Sequence, residues 1–124
     1  MRIFILLLIL PFYSSLSAQQ KEIGESLHQA NVEALGKYFN TSIELAMPHL
    51  EGVYNKKQAQ IVLTEFFSKN EVIQYEFKHK GGGKSKASFE IGSLQTKKGN
   101  FRCYILYNLL ENKPQIIEFR IDKE

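Results

Sequence analysis

Four stretches between Ile73 and Ile121 alternate apolar and polar residues with a period of two, and this pattern restricts the fold more than anything else in the chain. A strand turns successive side chains to opposite faces, so each stretch carries one apolar and one polar side. In "IQYEFKHK" the set Ile73, Tyr75, Phe77 and His79 shares a side, and in "KSKASFEIG" the set is Ala87, Phe89 and Ile91. "FRCYILYNLL" offers Phe101, Cys103, Ile105, Tyr107 and Leu109, and "QIIEFRID" offers Ile117, Phe119 and Ile121. A turn on Gly81-Gly82-Gly83 would set Phe77 opposite Ala87, Tyr75 opposite Phe89 and Ile73 opposite Ile91, apolar on apolar throughout. The apolar phase jumps from Ile91 to Leu94, which predicts a β-bulge at Gly92-Ser93. A turn at Lys98-Gly99 then places Leu94 against Cys103, Ile91 against Ile105 and Phe89 against Tyr107. A bent antiparallel meander of this kind has one apolar face, and that face must be covered.

The cover comes from upstream. "NKKQAQIVLTEFF" spaces Ala59, Val62, Leu63, Phe66 and Phe67 as one helical stripe, and Asn55 with Gln58 forms a capping box. This helix, 55–67, is expected to lie on the apolar side of the 73–91 hairpin. Residues 19–40 read as one helix or as two broken near Ala30, with Asn31 as the cap of the second and Asn40 as the stop. "SIELAM" reads as a short strand and "PHLEGVYN" as a turn region. The fold class is therefore α+β.

The N-terminus reads as an address. Met1-Arg2 is a short basic start, Ile3–Leu10 an apolar core, and "PFYSSLSA" leads through small residues to Ala18. That layout predicts a cleavable secretory signal over 1–18, a single domain over 19–124, and export to the periplasm or beyond. The apolar run is shorter than a membrane span requires, and no cysteine near the cut could carry a lipid. Loss of Arg2 leaves 15 basic and 13 acidic residues, too slight an excess to imply nucleic acid. Cys103 is the single cysteine, which rules out an intrachain disulfide and predicts a small buried core residue.

The motifs that tempt are weak. Gly83-Lys84-Ser85 ends like a phosphate loop, but Lys78 stands where the first glycine belongs and a strand follows where a helix is needed. Lys78, Lys80, Lys84 and Lys86 are expected on the outer side of the hairpin, as a soluble tip or as a patch for anionic envelope surfaces. His79 falls on the apolar side, at the mouth of any cavity there; His28, His49 and His79 have no metal-ligand spacing. Glu76, Glu90, Glu118 and Asp122 fall on the outer face, and Glu44 reads as surface too. Tyr104, Leu106 and Leu110, with Ile116 near, form an apolar cluster away from the helices that suits homodimerisation through the sheet.

The segments "YNKKQAQIVLTEFF", "YEFKHKGG", "FEIGSLQT" and "IIEFRIDKE" resemble those of small exported bacterial proteins in domain-of-unknown-function family 4783. The order helix, helix, strand, helix, meander is similar to the nuclear transport factor 2-like fold, a cone of curved sheet closed by helices around a pocket. The resemblance implies fold and export without an assigned chemistry. Some relatives in the wider superfamily are enzymes with pocket carboxylates, and no inward acid is expected here.

These readings favour a non-catalytic exported domain that takes a small or amphipathic ligand, or a protein partner, with no cofactor and no metal. The predicted pocket is lined by Tyr38, Phe67, Tyr75, Phe77, His79, Phe89 and Tyr107. The rival is a small enzyme with His79 as general base.

Overall fold

A computed structural model describes residues 16–82, 87–111 and 113–124. Most of the expected signal segment, and Lys84, Lys86 and the Gly83-Lys84-Ser85 motif, lie outside the described residues. The elements in chain order are α1 (Leu16–His28), α2 (Val32–Gly36), β1 (Phe39–Met47), β2 (Leu50–Asn55), α3 (Lys56–Lys69), β3 (Val72–Gly81), β4 (Ala87–Thr96), β5 (Gly99–Leu110) and β6 (Lys113–Lys123).

The six strands form one curved sheet in the order β2-β1-β6-β5-β4-β3. The meander β3–β6 is antiparallel, while β1 joins β6 in parallel and pairs with β2 as a hairpin. All three helices cover the same, inner face. The break near Ala30 is real: Ala30 adopts φ 53, and the Asn31 side chain accepts the Ala34 N–H to start α2. Asn40 does not stop a helix; the chain is already extended from Phe39. The turn region after Met47 is a turn followed by an edge strand, β2, whose side chains are largely exposed. Its apolar content is too sparse to have marked it as a strand.

Helix α3 begins as its capping box predicts: Asn55 accepts the Gln58 N–H at 2.8 Å and Gln58 accepts the Asn55 N–H at 3.3 Å. Its buried stripe is Ala59, Leu63 and Phe67, with Val62 and Phe66 partly buried beside it. The helix packs on β1, β2 and α2, however, and it is α1 that lies against β3. The expected placement of α3 over the 73–91 hairpin is thus wrong. The reason is the parallel β1–β6 pairing, which puts β1 and β2 at the end of the sheet away from β3 and β4 and gives α3 its own floor. Strand β5 keeps its expected phase: Phe101, Cys103, Ile105 and Tyr107 are all buried.

The registers around β4 differ from those expected. Tyr75 pairs with Leu94, Phe77 with Gly92, His79 with Ile91 and Gly81 with Phe89, so the connection is longer than a three-glycine turn. Strand β4 is regular along β5, with Phe89 opposite Leu106, Ile91 opposite Tyr104 and Leu94 opposite Phe101; it has no bulge at Gly92-Ser93. The irregularities lie in β3, where the ladder shifts at Ile73 and again at Lys78, in β6, where it shifts at Ile117, and along the β1–β6 pair between Phe39 and Glu44. Each extra residue exchanges the faces of the strand beyond it. With β4 unbulged, the buried phase of Leu94 runs back through Gly92 and Glu90, so Phe89 points outward, while Tyr75 points inward. In β6 the buried set becomes Ile116, Phe119 and Ile121, and Ile117 is the extra residue.

Candidate functional site

With β4 in this phase, its inward positions are Glu90, Gly92, Leu94 and Thr96, all buried. The inward positions paired with them on β3 are Lys80, Phe77, Tyr75 and Val72. A carboxyl group and an ammonium thus enter the concave face, where Glu90 and Lys80 were expected outside.

Gly92 makes the arrangement possible. A methyl group there would overlap the Tyr75 ring from Cζ to the hydroxyl. Without it the ring lies across β4, and its O–H donates to Glu90 Oε2 at 2.7 Å. Glu90 is 4% exposed. Burial pushes its carboxyl above the ordinary range, while the Tyr75 hydrogen bond and the charge of Lys80 act against that rise. Burial, followed by the Glu90 charge and bond, pushes the Tyr75 hydroxyl far up, so it remains a donor.

Helix α1 closes one side of the site. The Gln20 amide bridges two groups: Nε2 donates to the Tyr107 hydroxyl at 2.6 Å, and Oε1 accepts from Lys80 Nζ at 3.3 Å. The ammonium can only donate, which fixes the amide's orientation. Tyr107 is fully buried beneath Gln20, and burial, then Glu90, pushes its hydroxyl up to about 12. At the end of α1, His28 Nδ1 accepts the Tyr75 backbone N–H at 3.3 Å, which satisfies a donor on the open edge of β3. Between helix and strands lies an open cleft of about 810 Å³, lined by Gln20, Lys21, Gly24, Glu25, His28, Tyr75, Phe77, Lys80 and Glu90.

Of the seven expected pocket residues, Tyr75 and Phe77 line this cleft and Tyr107 touches it through Gln20. Tyr38 sits apart and donates to Glu22 Oε2 at 2.6 Å. Phe67 belongs to the core under α3. His79 and Phe89 are on the opposite face, with ring centroids 6.1 Å apart, and His79 is exposed. That position removes His79 as a base for chemistry in the cleft.

The outer face also holds the stacked pair Phe89–Tyr104, centroids 5.7 Å apart, and the exposed Leu110. Leu106 is half-buried beside them, whereas Ile116 is fully buried on the inner side and leaves the expected interface set. Lys80 likewise leaves the lysine patch for the cleft, and Lys78 pairs with Glu76 at 3.2 Å. Cys103 is buried, and burial raises its thiol well above the ordinary range. Among the described residues no group of three His, Cys, Asp or Glu could hold a metal ion, and no helix is long and apolar enough to cross a membrane.

A curved sheet capped on its inner face by helices, with a cleft between, defines the nuclear transport factor 2-like fold. A protein of that description from Cytophaga hutchinsonii aligns over 89% of this chain and 90% of its own, with a TM-score of 0.62 at 13% identity. The chain itself belongs to the family described as "Domain of unknown function (DUF4783)", which matches residues 20–122. Members of that family from Bacteroides fragilis and Bacteroides ovatus are 30% and 29% identical, with TM-scores of 0.77 and 0.78. The alignments cover 83% of this chain in both cases, and 96% and 93% of theirs. No curated protein matches the chain.

Proposed function

We propose that the protein is an exported domain that binds a small amphipathic molecule in the cleft between α1 and the β3–β4 hairpin. The observation that carries this reading is the Glu90–Tyr75 pair, a buried carboxyl and its donor set in the wall of an 810 Å³ cleft. Burying a carboxyl is costly, and a nearby aliphatic side chain would pack there without that cost. A ligand with a hydrogen-bonding head would use Glu90 and Lys80, while Tyr75 and Phe77 would take its apolar body. The cleft falls in the size range of about 300–1,000 Å³ usual for small-molecule sites. Export rests on the basic and apolar start of the sequence, and a mature protein beginning at Gln19, or at Ala18 if the cut follows Ser17, read by mass spectrometry, tests it.

Thermal melts against a broad set of small amphiphiles test the binding. A ligand at about 100 times its dissociation constant adds roughly 2.7 kcal/mol of stability. The rise should shrink in Glu90→Gln and in Phe77→Asp. A screen that leaves the melting temperature unchanged for every compound defeats the reading.

A second reading concerns the outer face, where Phe89, Tyr104 and the exposed Leu110 form an apolar patch suited to a second copy of the chain. Sedimentation should then show a dimer that Tyr104→Glu dissociates; a monomer at all concentrations excludes it.

A further inference from the structure

We propose that a second cleft, under the far end of α3, is a binding site for a small amphipathic anion of the alkyl or aryl carboxylate class. It has a volume of about 640 Å³ and lies where the β1–β2 turn, the last turns of α3, the β4–β5 turn and the end of β6 meet. Its apolar walls are Met47, Leu50, Val62, Phe66 and Phe101. Phe66 is held between two edge-on rings, Phe67 at 5.6 Å and Phe101 at 5.3 Å between centroids, so this wall is rigid. His49, at φ 71, sets the bend that brings Leu50 over the opening.

Basic side chains outnumber acidic ones on this lining. Lys69, Lys98 and Lys123 reach the cleft from three different elements, against one acid, Glu65. Glu65 is already engaged with Lys69 at 2.9 Å, and the neighbouring Glu71 with Lys97 at 2.9 Å. Lys98 and Lys123 therefore supply the positive field at the mouth of an apolar slot. At the C-terminal end of α3, Asn70 donates both its backbone N–H and its side-chain amide to the Phe66 carbonyl. An apolar slot with a cationic rim matches a molecule with an apolar body and an anionic head, and it disfavours the same body with a cationic head. The site is independent of the Glu90 cleft.

The test uses decanoate, decanol and decylammonium below their aggregation limits, followed by amide NMR shifts on the full chain. Decanoate should shift Phe66, Lys98 and Phe101, and bind more tightly than decanol, with decylammonium weakest. The double charge reversal Lys98→Glu with Lys123→Glu should weaken decanoate by about tenfold. Phe77→Asp, in the other cleft, should leave it unchanged. Added salt should weaken decanoate and not decanol. Both lysines are on the surface, and circular dichroism checks that the variant is folded. Equal binding of the three probes overturns the proposal. So does decanoate binding that survives the charge reversal, shifts confined to the Glu90 cleft, or no decanoate shifts at all.

Discussion

The inner face of the sheet is built in two ways. Under α3 the sheet presents Ile43 and Leu45 of β1, both fully buried in the same core as Leu63 and Phe67. Under α1 the same face presents Glu90, Tyr75, Phe77 and Lys80, around a cleft rather than a seal. The difference comes from the ladder. Strand β5 keeps strict alternation along its buried half, while β3 takes two extra residues and turns Tyr75, Phe77 and Lys80 to the side of Glu90. Regular pairing of β4 with β5 thus carries Glu90 inward, and the two extra residues of β3 bring Tyr75, Phe77 and Lys80 to the same side.

The largest test of that contrast is Leu63→Ala, which empties a fully buried position under α3 and should cost about 2–5 kcal/mol in urea unfolding. It should leave ligand stabilisation at the Glu90 cleft intact. Gly92→Ala comes next. The added methyl displaces the Tyr75 ring and strands Glu90, for a loss of about 1–4 kcal/mol and of binding as well. A Gly92→Ala protein with unchanged stability would show that the Tyr75 ring does not lie over β4. Tyr75→Phe removes only the donor to Glu90 and should cost about 1–3 kcal/mol. Asn55→Ala, at the cap of α3, should cost about 1 kcal/mol without touching either cleft.

A pH series sharpens the comparison further. The folded Glu90 carboxyl titrates above its unfolded counterpart, so the folded state holds the proton more tightly. Glu90 therefore favours folding most at pH below the ordinary carboxylate value, and that contribution falls as pH rises to the raised value. The stability of Glu90→Gln relative to the native protein should grow from acid to neutral pH in urea titrations. A difference flat across that range would mean that Glu90 is not desolvated.

Much of the fold was legible because local chemistry dictated it: the Asn55–Gln58 box, the break at Ala30 and the inward set of β5. The site was not, and β4 shows why. Phe89 and Ile91 look like core residues by alternation, but alternation says only that they share a side. The jump to Leu94 has two solutions, a bulge in β4 or an inverted face, and the molecule takes the second. Tyr104 and Leu106, apolar and outward on β5, are the partners that Phe89 and Ile91 meet, and with that pairing Glu90 turns inward. Strand β2 was missed for a different reason: at the rim of the sheet its side chains are mostly solvated, so no apolar pattern announces it.

The two insertions in β3 also bear on growth of the sheet. Its outer rim is contorted at Ile73 and Lys78, and one of its donors is already taken by His28. A further strand arriving from a neighbouring molecule would find no unbroken row of partners to zip onto. The distortion that opens the cleft thus also blunts the flank on which uncontrolled stacking would begin.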